Sequence, residues 1–191
     1  VASAVVAAPT LGTKLSADGG TLLSYDKSSG KFLRIYEDGT TIEMASKPFL
    51  NVENVSWSPD GKKSVMEFPD GSNIIYDFES QKSVTLPKHW KDFDFSPDGA
   101  KIVSKSIGAD TDNRWLVTVD ANGEGARVIA ALGNNADKVK VSWSPTGSVI
   151  AFSDTGRDLG LNRKEILLVG QNGENFKGLE VAGMDFRPLW S

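Results

Sequence analysis

The sequence predicts an all-β protein: a β-propeller of four-stranded antiparallel blades, with about four blades present and the ring incomplete. Two observations carry this. A short corner recurs along the chain as Trp57-Ser58-Pro59-Asp60-Gly61, Phe95-Ser96-Pro97-Asp98-Gly99 and Trp143-Ser144-Pro145-Thr146-Gly147, with a weaker copy at Leu15-Ser16-Ala17-Asp18-Gly19 and an opening of another at Trp190-Ser191. Its serines, Ser16, Ser58, Ser96, Ser144 and Ser191, stand 42, 38, 48 and 47 residues apart, a period that accommodates one four-stranded blade. The second observation is the pattern between corners, where short runs alternate apolar and polar residues and no long stripe at i, i+3, i+4, i+7 occurs.

The corner has a physical reason. Proline presets the φ of the second position of a type I turn, aspartate tolerates the third, and glycine takes the positive φ that follows when the turn closes a hairpin. The residues leading in, Val55 and Trp57, Phe93 and Phe95, Val141 and Trp143, alternate with polar or small neighbours, so each copy is a half-buried strand ending in a tight reversal.

Taken in order, one domain over residues 1–191 is expected to hold blades at 9–46, 50–87, 91–132 and 137–182, with 184–191 starting a further blade. The first blade has strands at 11–16, 21–26, 32–37 and 41–45, with Asp38-Gly39 as a hairpin turn. The second has strands at 52–58, 63–68, 73–78 and 83–86, and the third at 92–96, 101–106, 115–120 and 126–130, turning at Asn122-Gly123. The fourth has strands at 138–144, 148–154, 165–170 and 177–181, turning at Asn172-Gly173. The small apolar residues 1–8 have the composition of a processed export signal without its basic start, and read more simply as a strand; residues 2–8 suit the outer strand of a preceding blade. The missing initial Met and the two partial end strands make a piece of a longer propeller the expectation.

Composition narrows the function classes. The chain of 191 residues has no cysteine, which removes disulfides, thiolate metal sites and cysteine nucleophiles, and fits a reducing compartment or a cell envelope alike. Its 21 Lys and Arg are interspersed with 25 Asp and Glu for a net charge of -4, so no basic patch speaks for nucleic acid. No apolar run approaches the roughly 20 residues that a membrane span needs.

The aromatic-Ser-Pro-Asp-Gly corner followed by a strand, as in Trp57 to Phe68, resembles the WD-like repeat of TolB-type β-propellers, and Arg187-Pro188-Leu189-Trp190-Ser191 resembles its Pro-x-Trp-Ser lead-in. The resemblance covers nearly the whole chain. It implies a bacterial cell-envelope protein, periplasmic or extracellular, that acts by binding proteins or by gating a peptidase, in a ring of six to eight blades. Four blades fall short of that, so completion by missing blades or by a second copy in a homodimer is expected.

Candidate chemistry lies in loops, which the strands only position. Two loops between second and third strands are long, Gly108 to Arg114 and Thr155 to Arg163, and adjacent blades would set them side by side. Asp110, Asp112, Asn113, Arg114, Arg157, Asp158, Asn162 and Arg163 are therefore the candidate interaction residues. Asp110-x-Asp112-Asn113 spaces carboxylates as calcium loops do but lacks their Gly and distal Glu, and reads as solvated. Asp92 and Asp94 flank Phe93 and read as solvated too. His89 is the only histidine, which excludes a multi-histidine metal centre, and no Gly-x-Ser-x-Gly elbow supplies a nucleophile. Trp57, Trp143 and Trp190 read as packing residues, and Gly-rich turns such as Asn122-Gly123-Glu124-Gly125 lack the Lys and Ser of a phosphate loop. No catalytic residue, metal or cofactor is expected. The reading is a non-catalytic module whose loop face binds a protein, with an accessory propeller of a prolyl-oligopeptidase-type peptidase as the alternative; a sugar-active propeller is disfavoured by the single histidine.

Overall fold

A computed structural model describes residues 9–16, 18–183 and 190. These residues form four antiparallel four-stranded sheets, and in each sheet the strands lie in chain order. The first blade comprises β1 (Thr10–Leu15), β2 (Thr21–Asp26), β3 (Lys31–Tyr36) and β4 (Thr41–Glu43), and the second β5 (Asn54–Trp57), β6 (Lys63–Glu67), β7 (Asn73–Asp77) and β8 (Lys82–Leu86). The third comprises β9 (Trp90–Phe95), β10 (Lys101–Ile107), β11 (Arg114–Asp120) and β12 (Arg127–Ala131), and the fourth β13 (Val139–Val141), β14 (Val149–Asp158), β15 (Arg163–Gly170) and β16 (Asn175–Ala182). The chain divides into two compact units, Val1–Lys88 and His89–Ser191, with two blades in each. The strands expected at 2–8 and 184–191 lie outside the described residues, Trp190 apart.

The corners form as the turn chemistry requires, and their serine does more than fill a position. Ser58 Oγ donates to Asp60 Oδ1 at 2.6 Å and accepts the backbone N–H of Lys63 at 2.9 Å, while the N–H of Lys62 donates to the same carboxylate oxygen at 3.0 Å. Ser96 and Asp98 repeat this with Lys101 and Ala100, and Ser16 and Asp18 with Thr21 and Gly20. Where blade four has Thr146 in place of the aspartate, the two hydroxyls stand 3.2 Å apart instead. Gly61, Gly99 and Gly147 all take positive φ, as the turn demands.

In the first unit the apolar faces of both blades meet in one cluster of Leu23, Tyr25, Phe32, Phe49, Val52, Trp57, Met66, Tyr76 and Phe78. Phe32 is its hub, with ring centroids 5.1 Å from Tyr25 and Phe78 and 5.3 Å from Trp57. The polar ends of the buried aromatics are satisfied: Tyr25 Oη donates to the carbonyl of Phe49 and Trp57 Nε1 to that of Gly12, both at 2.5 Å, and Tyr76 Oη donates to Gln81 Oε1 at 2.9 Å. In the second unit Val103, Leu116, Leu132, Ala136, Val139, Trp143, Ile150, Ala151 and Val169 form the equivalent core. Trp143 and Trp57 are buried as packing residues, whereas Trp190 keeps 38% exposure, its Nε1 donating to Ser142 Oγ at 3.0 Å.

Three expectations are corrected here. The inner strand of blade four is only Val139–Val141: beyond it the N–H groups of Ser142 and Ser144 still reach the carbonyls of Ile150 and Val149, at 3.1 and 2.8 Å, but one residue out of step, while the N–H of Trp143 between them donates to Asp94 Oδ2 at 2.7 Å. That same bond makes Asp94 a link between blades three and four, not a solvated acid. The third correction is partial: Asp92 keeps a side chain 53% exposed, as a solvated acid does, but its carboxylate also meets Lys105 Nζ at 2.5 Å; Lys105 is itself 8% exposed and also donates to the carbonyls of Ala136 and Val139, each at 3.1 Å. A buried ammonium thus clasps the connection between these blades.

Candidate functional site

The loop expected at 155–163 is mostly hairpin. β14 runs on to Asp158 and β15 starts at Arg163, with Asp158 opposite Lys164 and a register shift between Asp154 and Asp158. The shift is a bulge. Asp154 Oδ1 accepts the N–H of Gly156 at 2.7 Å, Gly156 takes φ 73°, and the extra residues carry Arg157 out to solvent. The tip is closed by the N–H of Gly160 donating to Asp158 Oδ1 at 2.8 Å and by Arg163, whose guanidinium donates to the carbonyl of Leu159 at 3.1 Å and to Glu180 at 3.2 Å. Leu161 stands at the tip with 91% of its surface exposed.

This hairpin borders a groove of about 340 Å³ that brings together four of the predicted residues, Arg157, Asp158, Asn162 and Arg163, with Lys138, Asp154 and Lys164. Four cations face two carboxylates. The Asp154 carboxyl is held below the usual carboxylate range first by the Gly156 N–H and then by the Lys164 ammonium 3.2 Å away. The groove can accept an anionic chain: Arg163 and Lys164 are already engaged, while Lys138 and the exposed Arg157 extend over it. Sequence reading missed Lys138, Asp154 and Lys164: the first two were assigned to strands at 138–144 and 148–154, and Lys164 fell between the expected loop and the strand at 165–170.

The other four predicted residues form a separate feature. Asp110 and Asp112 are exposed around a single 3-10 turn, Thr111–Asn113, in a loop closed on itself: the N–H of Asn113 donates to the carbonyl of Asp110 and that of Gly108 to the carbonyl of Asn113, both at 3.0 Å. Arg114 Nε donates to the carbonyl of Gly108 at 3.3 Å. Among the described residues no three His, Asp or Glu side chains converge as metal ligands. His89 is exposed, and its carbonyl accepts the N–H of Ile107 at 2.7 Å.

Four-stranded blades entered through Ser-Pro-Asp-Gly corners define the chain as a β-propeller in fold. No family model matches it. It is 29% identical over 134 residues to dipeptidyl-peptidase 5 of Porphyromonas gingivalis, covering 60% of this chain and 19% of that protein. Among solved structures it is similar to oligogalacturonate lyase from Vibrio parahaemolyticus, with a TM-score of 0.64, 14% identity, and coverage of 89% of this chain and 53% of that one. It is also similar to a β-propeller domain from Myceliophteria thermophila, with a TM-score of 0.58, 14% identity, and coverage of 93% and 56%. The chain therefore spans about a fifth of the curated relative and about half of each solved chain.

These findings correct the expectation of a chain that is not an enzyme. An enzyme, oligogalacturonate lyase, shares the fold, and the curated relative is a peptidase. The physical reason is that the recurring corner belongs to the scaffold, and a scaffold that only positions loops is compatible with catalysis and with binding alike. Among the described residues no helix is long and apolar enough to cross a membrane.

Proposed function

We propose that the chain is a propeller module that docks an acidic segment of a partner protein in the groove beside the β14–β15 hairpin. The observation that carries this reading is the convergence of Lys138, Arg157, Arg163 and Lys164 on one groove of about 340 Å³ next to the exposed Leu161. Cations of this kind govern encounter and orientation, and an apolar tip supplies an anchor that the charges alone lack. The TolB-like repeat and a periplasmic or extracellular location belong to the same proposal, as does completion of the ring by further blades or by a second copy. The test is titration of a glutamate-rich peptide followed by isothermal calorimetry. Binding that weakens about tenfold in the Lys138→Glu/Arg157→Glu variant, and also as salt rises, supports the reading; an affinity indifferent to both disproves it.

A second reading rests on the identity to dipeptidyl-peptidase 5: the module is the accessory propeller of a peptidase of the prolyl-oligopeptidase type. In that case a fluorophosphonate probe labels the full-length gene product, and the label is absent from this chain alone. A full-length product that resists labelling ends that reading and leaves the first intact.

A further inference from the structure

The tip of the β14–β15 hairpin is built against the preference of its own sequence. The reversal runs from Gly160 to Arg163, whose N–H donates to the carbonyl of Gly160 at 3.0 Å. Both residues between them are left-handed, Leu161 at φ 52° and Asn162 at φ 57°. A tight hairpin turn of this kind needs positive φ at both central positions, and asparagine, aspartate and glycine are the residues that supply it. Leucine is not, because in that conformation its Cβ crowds the following carbonyl oxygen.

Elsewhere the chain avoids such strain or offsets it. The corners give their positive φ to Gly61 and Gly99, and the turns at Asp38-Gly39, Asn122-Gly123 and Asn172-Gly173 give it to their glycines. Among the described residues the other non-glycine positions with positive φ are Asn51, Gln81, Asp92 and Asn162. Asparagine and aspartate tolerate the left-handed region. The Gln81 side chain offsets its strain by donating to the carbonyls of Phe78 and Met44, at 2.6 and 2.9 Å. Leu161 has neither recourse: an aliphatic side chain makes no hydrogen bond, and at 91% exposure it packs on almost nothing. Strain that the chain itself does not offset is a mark of a binding position.

We propose that Leu161 is the specificity residue of the hairpin groove, an apolar knob that selects acidic segments carrying a large apolar side chain among their carboxylates. Asn162, its neighbour in the turn, lines the groove with Lys138, Arg157, Arg163 and Lys164, so whatever covers the knob also meets these cations. The inference rests on the docking of an acidic segment in that groove, and adds which acidic segment is taken.

Two glutamate-rich peptides of equal length and charge, one with a central serine and one with a central leucine, are titrated into the whole chain by isothermal calorimetry. The leucine peptide is expected to bind about tenfold tighter. Leu161→Asn is expected to bind both peptides as the wild type binds the serine peptide, and to melt about 2–4 °C higher, because asparagine accepts the left-handed turn. Leu161→Met is expected to keep the preference without the gain in Tm. A wild type that binds both peptides equally, or a preference that Leu161→Asn retains, overturns the selectivity and leaves the groove reading standing. A Leu161→Asn variant that melts no higher than the wild type overturns it too, since the strain is then absent. If neither peptide binds, both readings fall, and capture of the chain through Leu161 by vesicles of phosphatidylserine and phosphatidylcholine would then assign the tip to a lipid surface instead.

Discussion

Ser58 shows how much one hydroxyl carries. At 1% exposure it satisfies the N–H of Lys63 and anchors Asp60, so Ser58→Ala removes two corner bonds at once and leaves a buried donor short of a partner. The expected loss is about 1–2 kcal/mol of unfolding free energy, read from urea denaturation. Gly12 is constrained differently: its φ is 60°, and a Cβ there would lie 2.8 Å from Val55 Cβ on the neighbouring blade. Gly12→Ala is expected to cost about 1–3 kcal/mol in the same assay, because backbone strain and overpacking add. The turn role of Pro59 and Gly61 was legible in sequence, since it depends on local dihedrals alone. The clasp made by Ser58 was not, because its acceptor role needs Lys63 brought back across the hairpin.

At the scale of elements, the connection between blades three and four is held by Lys105 rather than by an apolar plug. Lys105→Met leaves the carbonyls of Ala136 and Val139 without that donor and Asp92 without its ion pair; a loss of about 2–4 kcal/mol is expected, measured as a lowered Tm by circular dichroism. Asp92→Asn, at a side chain 53% exposed, is expected to cost under about 1 kcal/mol. Strand existence was readable from alternation throughout, and strand ends were not. β14 outruns its expected end by four residues, from 154 to Asp158, because the Asp154–Gly156 bulge lets a polar segment stay paired where periodicity has already lapsed. The same extension turned a presumed loop into the wall of a groove.

Across the whole molecule the acidic turns act in one direction. Asp18, Asp26, Asp70 and Asp98 are each held below the usual carboxylate range first by a serine hydroxyl, from Ser16, Ser28, Ser72 and Ser96 respectively, and Asp70 falls to about 2. A carboxylate whose pKa is lower folded than unfolded contributes stability above its unfolded value, and that contribution is lost as pH falls through the folded one. Tm is therefore expected to drop as pH goes from the ordinary 3.8 toward about 2, and Asp70→Asn to shallow that acid branch. A scan of Tm against pH for both proteins checks it, and parallel curves would remove Asp70 from the account.

What the sequence determined alone is the blade: the corner, its period and the alternation are local or periodic properties, and they specify four four-stranded sheets without reference to anything distant. Of the residues that line the hairpin groove it placed Arg157, Asp158, Asn162 and Arg163 at one loop, because loop length is visible in spacing. Only the tertiary structure decided that Lys138 joins them from the blade connection, and that Asp94 and Lys105 bind one blade to the next. These are contacts between residues dozens of positions apart, made by side-chain hydrogen bonds that have no period and so leave no trace along the chain.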